Sequence, residues 1–178
     1  VTFYTSRVVL KVLCVEDFGI FNVVAGIVAM FGFLNSSMSA STQRFISFSL
    51  GKGDKANLNK IFSTCVLTHA MIGLAVLVLI ESIGLWFLYN KMIIPEGRMD
   101  AAFWVFQFAA LSTVVAVMSI PFNADIIAHE KMSAFAYISI YEAVMKLVVV
   151  YLIVISPFDK LIVYSFLILL ISLSLRLI

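Results

Sequence analysis

The chain has 178 residues, 63% of them hydrophobic and 12% charged, with a formal net charge of +2 and a mean hydropathy of +1.11. Soluble domains are about half apolar and about a quarter charged, so a soluble fold is excluded: a chain this short could not hide so much apolar surface. The small net charge excludes a nucleic-acid partner held by bulk electrostatics.

Residues 1–13, VTFYTSRVVLKVL, are apolar enough for a membrane helix but give only about half of the roughly 20 residues a span needs. They read as the second half of a truncated span, and the chain as a fragment. No charged lead-in with a cleavage site marks a signal peptide. Val15-Glu16-Asp17-Phe18-Gly19 reads as a tight polar turn. From Phe18 the chain is apolar to Met38, and the helix runs on to about residue 43. Ala25 and Ala29, and Gly32 and Ser36, are small-xxx-small pairs that let helices approach closely in lipid. The small residues Ser36, Ser37, Ser39, Ala40 and Ser41 close this run. Gly51-Lys52-Gly53-Asp54 is a turn, with Asp54 placed to cap a helix from Lys55.

A third span covers about 61–89 and ends in Trp86 and Tyr89, an interfacial aromatic pair. A fourth covers 101–124, with Pro121 expected to kink or loosen its last turns. A fifth covers 133–155 and a sixth 161–177. The connections are short, so consecutive spans are antiparallel. Strict two-residue alternation, the mark of a membrane β-barrel, is missing. The expected fold is therefore an all-α polytopic bundle of about six helices over residues 1–178, the first of them partial.

Arg44, Lys52, Lys55 and Lys60 crowd one loop against Asp54 alone, and Lys131 and Arg176 fall on the same side. Lys91, Arg98 and Lys160 fall on the other, among Glu16, Asp17, Glu96, Asp100 and Asp159. The cation bias makes Arg44, Lys52, Lys55 and Lys60 topology anchors on the cytoplasmic side. Cys14 and Cys65 are expected on opposite faces, out of reach of each other. No His/Cys/carboxylate cluster has metal-ligand spacing, so no cofactor is expected.

Several of these stretches resemble a known family when taken together. Arg7, Lys11 and Leu13 followed by Val15-Glu16-Asp17-Phe18-Gly19-Ile20 look like the start of bacterial polysaccharide flippases. These are the O-antigen type members of the multidrug/oligosaccharidyl-lipid/polysaccharide exporter superfamily. Met38-Ser39-Ala40-Ser41-Thr42-Gln43-Arg44-Phe45 with Gly51-Lys52-Gly53-Asp54 is similar to the end of their second helix and its loop. Ile127-Ala128-His129-Glu130-Lys131-Met132 resembles the loop after their fourth. The order and spacing of these motifs carry the resemblance, which covers essentially the whole chain. Cys14 stands where the pattern has Gly.

The resemblance implies one lobe of a two-lobe, MATE-like transporter in the bacterial inner membrane. Such a protein flips lipid-linked (polyprenyl pyrophosphate) oligosaccharide by alternating access, with substrate between this lobe and a second one. Its partners would be membrane lipid, that substrate and the second lobe. A multidrug or cation exporter is the nearest rival. A polytopic glycosyltransferase or ligase would want clustered carboxylates or histidines on a sizeable aqueous loop. The outer loop offers only Glu96, Arg98 and Asp100, so no enzyme activity is expected.

Within that frame Arg7 and Lys11, four apart on one helix face, are candidate substrate-binding residues for the pyrophosphate, with Asn22 a candidate sugar contact. Alternatively, Lys11 snorkels and pairs with Glu16 or Asp17, and Asn22 and Gln107 make interhelical hydrogen bonds. Glu142 and Lys146, acid first at a spacing of four, are a candidate coupling or gating pair; the plainer reading is a self-neutralised pair facing the bundle interior. His69 is a third coupling candidate or a hydrogen-bonded structural histidine. Glu81 and Asp125 are read as reaching the membrane interface.

Overall fold

The computed structural model describes residues 2–30, 33–53, 55–95, 97–157 and 159–177. The chain is all-helical: 90% of it is helix, and no strand occurs among the described residues. The order is α1 (Thr2–Ala29), α2 (Phe33–Gly51), α3 (Lys55–Leu79), a π-helical turn (Ile80–Gly84) leading into α4 (Leu85–Asn90), α5 (Met99–Met118), α6 (Ile120–Ala128), α7 (Met132–Ile155) and α8 (Lys160–Leu177). Among the described residues four stretches are long and apolar enough to cross a membrane: Thr5–Ala29, Ala56–Asn90, Met99–Ala128 and Met132–Ile155. In lipid every backbone polar group must be paired within the chain, which is why such a composition folds as helices.

The main core gathers Val9, Leu13, Ile20 and Val24 of α1 with Ile80, Leu88, Ala102, Phe106 and Leu161. The expected spans at 61–89, 101–124, 133–155 and 161–177 fall inside α3–α4, α5–α6, α7 and α8. Two expectations near the N-terminus change. The chain breaks at Cys14 (φ 62, ψ 171) rather than in the Val15–Gly19 segment, where Glu16 and Asp17 are helical. Asp17 is held there by a partner described below, so its carboxylate has no need of a turn. The continuous helix expected over 18–43 is two helices, α1 and α2. The second is too rich in Ser and Thr to join the membrane-crossing set. It turns Thr42, Ile46 and Ser49, all nearly fully buried, inward on one face and packs along α6 and α3. Gly32, Asp54 and the side chain of Lys55 lie outside the described residues, so the small-xxx-small contact at Gly32 and the Asp54 cap do too.

Pro121 loosens the fourth span as expected. α5 stops at Met118, and Pro121 opens α6 within its first turn, where its missing N–H costs nothing.

The end of the bundle near Cys14 is tied by one side chain. Arg98 donates from Nη2 to Asp17 Oδ2 at 2.8 Å and from Nη1 to Asp159 Oδ2. Asp159 Oδ1 also accepts the Leu161 N–H at 3.0 Å, capping α8. Three segments far apart in sequence thus meet at one guanidinium.

Cys14 occupies a region of backbone space that is essentially glycine's alone, at a cost of about 1–3 kcal/mol for another residue. A glycine there would give back about 0.5–1 kcal/mol as extra chain entropy on unfolding. Cys14→Gly should therefore stabilise the protein by about 1 kcal/mol net. Thermal unfolding of the purified protein in detergent reads this out; a lower midpoint would show that the break does not need its left-handed residue.

Candidate functional site

Charge near the middle of membrane-crossing helices is the feature with most chemical content. α7 is 24 residues long, about 36 Å at 1.5 Å per residue, and Glu142 and Lys146 lie close to its centre. Lys146 Nζ donates to Glu142 Oε1 at 2.6 Å, so the spacing of four delivers the pair. The side chains are 41% and 53% exposed, which corrects the expectation that the pair faces the bundle interior. The physical reason is where α7 packs. Its buried residues, Val149, Val150 and Ile153, sit toward its C-terminal end, so the middle of the helix is left uncovered. Arg176 of α8 lies within electrostatic reach of Glu142.

On α1, Val9 and Leu13 are buried, while Arg7 and Lys11 are exposed. Both pairs are four apart, so the arm turns an apolar stripe inward and a cationic one outward. Among the described residues neither cation has an ion-pair partner. Lys11 does not pair with Glu16 or Asp17, because Arg98 takes Asp17. Nor do Arg7 and Lys11 pair with Glu142. Two groups of charge result: a paired one on α7 and an unpaired one on α1, on helices that pack together.

Asn22 is exposed and donates to Phe18 O of its own helix at 2.7 Å. It is neither a bridge between helices nor part of the cationic stripe. Gln107 does bridge helices, donating to Glu81 Oε2 at 3.1 Å. Glu81 is therefore held against α5 rather than reaching for the interface. Asp125 is paired through its Oδ1 with His129 Nδ1 at 3.3 Å.

His69 is buried at 4% exposure. Its Nδ1 lies 2.7 Å from Cys65 O, so Nδ1–H donates to that carbonyl. Nε2 is buried and unpartnered. It lies along a groove between α2 and α3, far in sequence from Glu142 and Lys146, so the three coupling candidates do not form one cluster. Cys14 and Cys65 are free thiols.

Residue-by-residue reading missed a cleft of about 930 Å³ between α5, α6, α7 and α8. Its polar lining includes Asn123, Asp125, Tyr137, Tyr141 and Arg176, and Tyr141 Oη lies 3.4 Å from Ser174 Oγ. The available signal was the spacing of four between Tyr137 and Tyr141, one residue from Glu142. An aromatic-and-polar wall of this kind can stack on and hydrogen-bond a polyhydroxylated ligand.

No family model, curated protein or solved structure matches the chain.

Proposed function

We propose that this bundle is one lobe of a membrane transporter that flips an anionic, lipid-linked saccharide. One observation carries the reading: a half-exposed ion pair at the middle of α7, on a helix that packs against the one bearing the unpaired cations Arg7 and Lys11. Charges in the middle of a membrane-crossing helix are costly toward lipid and mark polar pathways. They are tolerable if this face lines a water-filled cavity shared with a second bundle. Arg7 and Lys11 then supply positive potential for a phosphate group. Arg7 contributes a planar fork of donors that matches phosphate oxygens. The Tyr137/Tyr141 cleft would take the saccharide portion. The resemblance of the motifs to polysaccharide flippases points the same way.

The test is surface polysaccharide display by a bacterium lacking its own flippase and supplied with the full-length protein. Arg7→Lys should reduce display, because a point charge does not reproduce the fork. Arg7→Ala should reduce it further at matched expression. Normal display with Arg7→Ala would overturn the proposal and leave Arg7 a snorkelling residue. The rival reading, export of organic cations, is favoured by one observation, the intramembrane acid Glu81 held by Gln107. Under it, Glu81→Gln would abolish drug resistance and Arg7→Ala would not.

A further inference from the structure

A groove of about 560 Å³ runs between α2 and α3, lined on one side by Met38, Ser41 and Phe45 and on the other by Lys60, Thr64 and Cys65, down to His69. A second hollow of about 440 Å³, lined by Ser41, Arg44, Phe45 and Phe48, adjoins it through the shared Ser41 and Phe45. Lys52 Nζ sits 4.5 Å from the centre of the Phe48 ring. Lys60 lines the groove and Arg44 the hollow that adjoins it, with Lys52 against the hollow's Phe48. Among the described residues no acidic side chain lines either hollow.

We infer that this trough of groove and hollow is a binding site for an anionic phospholipid, with the phosphate between Arg44 and Lys60 and one acyl chain lying along the groove floor. Three features favour that occupant. The cations gather at one end only, and Lys60 stands where the apolar run of α3 begins, a place where a snorkelling side chain can meet a headgroup. From Lys60 to His69 the groove follows nine residues, about 13 Å of helix, close to the roughly 15 Å that one leaflet contributes to the hydrocarbon core. The hydroxyls on the α3 wall are already used: Thr64 Oγ1 donates to Lys60 O and Thr68 Oγ1 to Thr64 O, each at 2.8 Å. Neither hydroxyl therefore has its hydrogen free to donate into the groove, which suits an acyl chain. Arg44 can hold phosphate oxygens in pairs, and Lys60 adds a point charge.

The experiment is native mass spectrometry of the full-length protein after incubation with equal amounts of phosphatidylglycerol and phosphatidylcholine. The expected result is preferential retention of phosphatidylglycerol. The preference should fall about fivefold for each cation removed in Arg44→Gln and Lys60→Gln. Lys131→Gln, on the same side by sequence but lining neither hollow, should leave it unchanged. Ser41→Trp fills the trough without touching a charge and should displace the lipid, which keeps the test decisive if the double charge variant misfolds. His69→Leu makes the floor wholly apolar and should preserve binding. Equal retention of the two lipids, or an equal loss with Lys131→Gln, would reduce the cations to a general surface charge. Loss with His69→Leu would show that a donor-bearing group, not an acyl chain, occupies the floor. Either outcome overturns the inference.

Discussion

Replacing Arg98 by Ala should destabilise the folded protein by about 2–4 kcal/mol, below the 3–5 kcal/mol of a fully buried pair because Arg98 is partly solvated. The magnitude comes from what is left behind. Asp17 is only 10% exposed at its side chain, so its carboxylate would lose its guanidinium and stay largely out of water. Asp159 is 34% exposed and can turn to solvent, so it contributes less. Arg98→Lys should recover only part of the loss, since an ammonium cannot reach two carboxylates in the fixed fork that Arg98 uses. Asp17→Asn on the Arg98→Ala background should be milder than Arg98→Ala alone, because it removes the stranded charge. Reversible unfolding of the purified full-length protein in detergent measures all three. Additive effects of Arg98→Ala and Asp17→Asn would mean that the two residues do not interact.

The knot at Arg98 also shows where sequence reading reaches its limit in a membrane protein. Charge bias placed Asp17, Arg98 and Asp159 at one end of the bundle, because cations and anions stand out against an apolar background. Their meeting joins residues 81 and 61 positions apart, and no local pattern encodes it. Helix existence was legible for the same reason: apolar runs of spanning length have few other folds open to them. The direction of a helix face was not. α7 is apolar all round, so the spacing of Glu142 and Lys146 gave their pairing but not whether they look into the bundle or out of it. Asn22 was open to two readings, a sugar contact or a bridge between helices, since a polar residue in lipid needs a partner; its own helix supplied one at Phe18. The Cys14 break was signalled only by the polar residues after it, since the left-handed position is filled by a cysteine instead of the glycine that would advertise it. The Tyr137/Tyr141 cleft had the weakest signal, because tyrosines at a spacing of four are usual in any interfacial helix.

Gly84→Ala should cost about 1–3 kcal/mol, the usual range for overpacking a filled core. A Cβ built at Gly84 would sit 2.5 Å from Phe106 Cζ and 2.6 Å from Cε2. Phe106 is fully buried, so its ring cannot swing away without displacing Ala102, Val105 or their neighbours. Gly84 stands at the end of the π-helical turn, and the turn explains why it points there. The buried positions Val76, Ile80, Gly84 and Leu88 follow one another at intervals of four. In a regular α-helix each such step overshoots the face by about 40°, and three steps would carry Leu88 well away from α5. The wider π turn takes up the excess and keeps all four on one line. Deleting one residue within Ile80–Gly84 leaves Val76 and Leu88 eleven positions apart, which a regular α-helix turns through to within about 20° of the same face, so Leu88 should stay in the core while the π turn is lost. The discriminating variant is Gly84→Ala combined with Phe106→Leu. The smaller side chain makes room for the new methyl, so the pair should be more stable than the sum of its single changes predicts. Strict additivity in the unfolding midpoints would mean that Gly84 and Phe106 are not in contact and that the π turn serves some other end.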